Sequence, residues 1–90
     1  MIRYHMVITG KVQGVGFRFF VLYTASPFNL TGYVKNLSNG DVEIEAQGNP
    51  NNLMKFLSKV ISGNNFSVIT DYSIKEIPII NDEKKFNITY

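Results

Sequence analysis

A chain of 90 residues carrying a net charge of +2 has room for one hydrophobic core, because a chain this short buries only roughly 60% of the surface it exposes when unfolded. Its 44% hydrophobic and 13% aromatic content excludes the disordered class. The absence of cysteine excludes a disulfide framework, a cysteine–zinc centre and a thiol nucleophile, and it fits a reducing compartment.

Tyr4, Met6 and Ile8 alternate with Arg3, His5, Val7 and Thr9, which predicts a first strand with one mainly buried face. Residues 10–16 break that period as a loop. Over residues 17–25, Phe17, Phe20, Val21, Thr24 and Ala25 share one side of a helix. Pro27 clashes with a continuing helix and ends or kinks it near Ser26, and Asn29 fits a left-handed cap just beyond. A second strand spans residues 30–36. Asn39-Gly40 predicts a type I′ hairpin turn, in which both central residues take positive φ. The third strand then points Val42, Ile44 and Ala46 inward and Glu43, Glu45 and Gln47 outward. Asn49 and Pro50 open a second helix as N-cap and first residue. Leu53, Phe56, Leu57, Val60 and Ile61 recur at three and four residues until Gly63 stops the run. Residues 68–77 read as a fourth strand, Asp82-Glu83-Lys84-Lys85 as an exposed turn, and residues 85–90 as a short fifth strand in which Phe86, Ile88 and Tyr90 alternate.

The order β-α-β-β-α-β with a short fifth C-terminal strand is that of an α+β, ferredoxin-like sandwich: two helices on one face of an antiparallel sheet, forming one domain over residues 1–90. This fold carries enzymes, RNA binders and regulatory domains alike, so function must be read at a site.

The segment Gly10-Lys11-Val12-Gln13-Gly14-Val15-Gly16-Phe17-Arg18 joins the first strand to the first helix. Amides at a helix start point outward without partners, at the positive end of the helix dipole. Gly14 and Gly16 let the backbone curl closely around a bound group, so the row of amides is a ready anion site. Arg18 adds a planar, permanently charged fork that matches phosphate oxygens. Two readings of Arg18 stand: an anion ligand, or an arginine that extends to solvent from the first helical turn. The first removes the conflict of a cation beside the positive end of the dipole. A nucleotide loop is excluded, because the Walker pattern needs Lys-Ser/Thr where Phe17-Arg18 stand and the dinucleotide pattern needs glycine near Phe19.

Asn36 is the second candidate. It shares strand parity with Gly32 and Val34, so its side chain projects from the helix-covered face. A split crossover returns the second strand parallel to the first, which brings Asn36 to the sheet edge where the glycine loop begins. An asparagine that simply opens the hairpin explains the position equally well.

Val12-Gln13-Gly14-Val15-Gly16-Phe17-Arg18 resembles the first signature of the acylphosphatases, and Gly32-Tyr33-Val34-Lys35-Asn36 resembles their second, at matching spacing. The similarity extends through Ala46-Gln47-Gly48-Asn49-Pro50 and the helix that follows. Tyr33 stands where the family usually has Trp, and Lys35 where it usually has Arg. The resemblance implies a hydrolase of small acyl phosphates. In it Arg18 and the amides of Gln13, Gly14, Val15, Gly16 and Phe17 hold the phosphoryl group, and Asn36 positions the attacking water. It implies no metal and no cofactor. A carboxylate leaves readily, its conjugate acid having a pKa of roughly 4–5, so no general acid is needed.

Other groups read as structural. His5 should lie on the outer face, away from the loop, and Glu43 and Glu45 should form a solvated strand face. Scattered lysines and only two arginines argue against nucleic acid as a partner. No stretch approaches the roughly 20 apolar residues of a membrane span, and the opening residues do not resemble a signal peptide. The expectation is a cytoplasmic monomer. The alternatives are an anion-binding or interaction domain without turnover, a module of a larger carbamoyl-transfer protein, and an RNA binder of the same fold.

Overall fold

In the computed structural model, which describes residues 1–90, the elements run β1 (Ile2–Lys11), α1 (Phe17–Ala25), β2 (Thr31–Asn36), β3 (Val42–Gly48), α2 (Pro50–Ser62), β4 (Val68–Ile77) and β5 (Phe86–Thr89). The helix starts follow from local chemistry. Asn49 caps α2, its side chain accepting from the Asn51 amide, with Pro50 at the first position. Pro27 turns the end of α1 into a short 3₁₀ segment, Ser26–Phe28, and Asn29 closes it at φ 54.

The sheet order is β4-β1-β3-β2-β5. β1 pairs antiparallel with β3 and β4, and β2 pairs antiparallel with β3. The strands β1 and β2 therefore run in the same direction and end at one edge. β5 adds alongside β2 in parallel, with Lys35 opposite Thr89. The sheet is thus mixed, with the expected antiparallel arrangement holding for its first four strands.

One face of the sheet packs on both helices. Met6, Ile8, Val34, Val42, Ile44 and Ala46 meet Phe17, Val21 and Ala25 of α1 and Leu53, Phe56 and Val60 of α2, all fully buried. Each large side chain so buried contributes about 1.5–3 kcal/mol before entropy is counted. The strong three-and-four period of α2 is what directs Leu53, Phe56 and Val60 onto the sheet together.

Three sequence expectations need correction. Asn39 does not take positive φ, and only Gly40 does, at 98°. The Gly40 amide donates to the Leu37 carbonyl at 3.2 Å, so the turn is centred on Ser38 and Asn39, with the Leu37 amide also bonded to Asp41 O at 2.9 Å. The Asn39 side chain explains the shift, since its Oδ1 accepts from the Asp41 amide at 3.0 Å and bridges the turn that its backbone was expected to make. The β2–β3 connection is a three-residue loop rather than a two-residue one.

The open face of the sheet is not a plain solvated surface. Arg3 is only 1% exposed, its Nε donating to Glu45 at 2.8 Å and its Nη1 to Glu83 at 2.7 Å. His5 lies on this face as expected, 2.9 Å from Glu43, and the Tyr33 hydroxyl reaches both Glu43 and Glu45. Neighbouring strands place Arg3 diagonal to Glu45, His5 diagonal to Glu43 and Tyr33 directly opposite Glu45, within reach of long side chains. Glu83 consequently leaves the expected exposed turn at 82–85 and points in. Buried Gln47 completes the seam, exchanging hydrogen bonds with the backbone of Ile80 at 2.7 and 2.9 Å.

Candidate active site

The glycine loop is anchored at both ends by buried side chains, Val12 at the exit of β1 and Phe17 at the start of α1, each 1% exposed. Between them Gly14 and Gly16 take φ 72° and 75°, left-handed values that a side chain would resist. Gly16 is the N-cap of α1 and offers no side-chain cap, and no acidic residue occupies the first turn. The first helical hydrogen bond runs from the Phe20 amide to Gly16 O at 3.0 Å. The amides of Phe17, Arg18 and Phe19 are therefore left for an outside acceptor.

Asn36 ends β2 at the same sheet edge. Arg18, Asn36, Gly14, Gly16, Val12, Phe17 and Phe19 line a single cavity of about 150 Å³. The Asn36 Oδ1 is buried and has no hydrogen-bond partner. An unpaired buried carbonyl costs about 1–3 kcal/mol, so it marks a place for a missing donor. A wider cleft of about 410 Å³ at the far end of α1, bordered by Ser26, Asn29, Lys84 and Lys85, includes none of the residues that line the cavity of Arg18 and Asn36.

Of the sequence-predicted loop residues, Gly14, Gly16, Phe17 and Arg18 line this cavity. The Gln13 side chain is committed elsewhere. Its Nε2 donates to the carbonyls of Leu37 and Asp41 at 2.7 and 2.9 Å and ties the loop to the hairpin beyond Asn36. Only its backbone remains for an anion. Val15 is held by Asn64, whose Nδ2 donates to the Val15 carbonyl at 2.9 Å. His5 and the acids of the open face take no part.

Two neighbours escaped the sequence reading. Asn64 sits in the α2–β4 connection, where no periodic signal points at the loop. Tyr90 lies under Arg18, with the guanidinium carbon 4.9 Å from the ring centroid. It shares strand parity with Phe86 and Ile88, which pack against the helix-covered core. The parallel pairing of β5 then carries it one step past Thr89, beside Asn36. A cation over an aromatic face is attracted by the ring quadrupole and restrained in place.

The family model described as Acylphosphatase matches residues 4–88. The chain belongs to the acylphosphatase family. It is 49% identical over 90 residues to an acylphosphatase of Clostridium beijerinckii, with 100% of both chains covered. The crystal structure of the acylphosphatase from Bacillus subtilis superimposes with a TM-score of 0.95 at 42% identity, over 100% of each chain. T. kodakarensis HypF matches at a TM-score of 0.87 and 34% identity, covering 100% of this chain and 12% of HypF. The relation to acylphosphatases therefore extends over the whole length, and the glycine loop, Arg18 and Asn36 all fall within the matched family region.

Proposed function

We propose that this chain is an acylphosphatase that hydrolyses small acyl phosphates to a carboxylate and inorganic phosphate. The amides of the 13–17 loop and of the first turn of α1 receive the phosphoryl oxygens, and Arg18 offsets the charge that spreads over them in a loose transition state. Asn36 accepts a hydrogen bond from the attacking water and aligns it with the leaving carboxylate. The observation that carries this reading is that Asn36, whose buried Oδ1 has no partner, lines the same cavity as Arg18 and the two left-handed glycines.

The bond bookkeeping is simple. Water oxygen forms a bond to phosphorus, the P–O bond to the acyl carboxylate breaks, and the carboxylate leaves with the electron pair. An amide is not a base at neutral pH, so the water's proton passes to a phosphoryl oxygen rather than to Asn36. Because the anhydride is already activated, the reading needs no metal or cofactor. It treats residues 1–90 as one domain, acting as a cytoplasmic monomer. The absence of cysteine suits a reducing compartment, and every group assigned here comes from one chain.

The test is release of phosphate from benzoyl phosphate with a chelator present, for wild type, Arg18→Gln and Asn36→Ala. Wild-type turnover with near-loss in both variants, at unchanged circular dichroism, supports the reading. Activity that vanishes with chelator overturns the mechanism. Phosphate binding without any turnover favours an anion-binding domain that leaves Asn36 without a task.

A further inference from the structure

The two left-handed glycines of the loop create a difficulty that the family resemblance does not address. Gly14 and Gly16 permit the amides to converge, at φ 72° and 75°, but glycine has the widest conformational freedom of any residue. The peptide units around Val15 can therefore turn away from the cavity. An anion cradle requires their N–H groups inward and their carbonyls outward, since an inward carbonyl would present a negative dipole to an oxyanion.

A side chain from a distant connection meets that requirement. Asn64 Nδ2 donates to the Val15 carbonyl at 2.9 Å. The same nitrogen lies 4.0 Å from where a side chain at Gly16 would begin. Asn64 is itself held in a closed turn, its amide donating to Ser67 Oγ at 3.0 Å and its carbonyl accepting from that hydroxyl at 3.2 Å. Its carboxamide thus projects from a fixed backbone.

We infer that Asn64 is a positioning residue for the anion cradle, holding the Val15 carbonyl outward so that the amides of the glycine segment face the phosphoryl oxygens. The inference rests on the phosphate-site reading above. What separates it from a plain stabilising role is the other atom of the same amide, because Asn64 Oδ1 is buried with no partner. A buried orphan acceptor opposes folding and offsets the bond made by Nδ2. Truncation removes both at once, so it should disturb the cradle more than the fold.

The experiment measures binding of inorganic phosphate by wild type, Asn64→Ala and Asn64→Ser, together with thermal unfolding and amide hydrogen exchange at residues 15–17. The expected result is phosphate binding by wild type and a roughly five- to tenfold loss in Asn64→Ala, the equivalent of one hydrogen bond. Exchange at residues 15–17 should accelerate while Tm moves by no more than about 3 °C. Serine keeps a donor and should recover part of the affinity. Unchanged affinity in a folded Asn64→Ala overturns the inference, as does a loss that only follows a fall in folded fraction. A wild type that binds no phosphate overturns the site reading as well, and is told apart because the variants are then not needed to see it.

Discussion

In the proposed reaction Arg18 and Asn36 meet the same phosphoryl group with different chemistry, and kinetics can separate them. Arg18→Gln keeps hydrogen-bonding capacity but removes the charge, so kcat/KM should fall about 10³-fold, with inhibition by inorganic phosphate weakened in parallel. Asn36→Ala leaves the cradle and its cation in place. Its loss should fall on kcat, by about 10²-fold or more, while the inhibition constant for phosphate stays within about twofold. Equal weakening of phosphate inhibition in both variants would make Asn36 a binding residue instead. Tyr90 acts on Arg18 alone. An exposed cation–π contact is worth about 0.5–1 kcal/mol. Tyr90→Leu should therefore cost about two- to fivefold in kcat/KM, and Tyr90→Phe almost nothing, when the two are compared under the same assay.

At the scale of elements, the unit from β1 through the loop to α1 carries its own instructions. Glycines at 14 and 16 are required by left-handed φ, and Gly16→Ala should cost about 1–2 kcal/mol, read as a lower urea midpoint at unchanged slope. A side chain at Gly16 would meet only Asn64 Nδ2, at an unstrained 4.0 Å, so the cost is conformational rather than steric. Such local signals are why both helices, the break of α1 before Pro27 and the left-handed Asn29 were readable from residues alone. Strand parity and the parallel run of β1 and β2 likewise brought Arg18 and Asn36 together before any coordinates. What was not readable depends on which side chain meets which backbone group, near or far in the chain. The Asn39 turn was decided by its own side chain against the Asp41 amide, and β5 by which edge remained open. Asn64 carries no periodicity that aims it at Val15, and Gln13 reads as a loop residue until the hairpin carbonyls of Leu37 and Asp41 are placed beside it.

Across the whole molecule, the open face of the sheet balances the apolar face with a charged seam that joins β1, β3 and the segment before β5. Sequence parity correctly set Arg3, His5, Glu43 and Glu45 on that face, but it does not reveal that Glu83 folds over them. Burial opposes the charge on Arg3, yet the carboxylates of Glu83 and Glu45 outweigh it and hold its pKa above the ordinary value. Burial likewise opposes ionisation of Glu83, and the hydrogen bonds from Arg3 overcome it, so its pKa lies below the usual carboxylate range. The pKa of Glu43 is lowered too, chiefly by its hydrogen bond with His5.

A carboxylate whose pKa is lower in the folded than in the unfolded chain stabilises the fold fully above the ordinary value of roughly 4.3, and that contribution is lost as pH falls through the folded value. Stability should therefore be level near neutrality and decline from about pH 4 downward. Glu83→Gln isolates this part of the decline. The variant leaves Arg3 buried with Glu45 as its remaining carboxylate, which should cost about 1–2 kcal/mol at pH 7. The deficit should shrink as pH is lowered toward 3, because Glu83 of the unfolded wild type takes up its proton below roughly 4.3 and so favours unfolding. Urea unfolding of both proteins at pH 7, 5, 4 and 3 reads the two curves. A gap that stays constant over that range would mean that Glu83 contributes through packing rather than charge. The glycine-loop cavity shares no residue with this seam, so phosphate release from benzoyl phosphate at pH 7 should be unchanged in the folded variant.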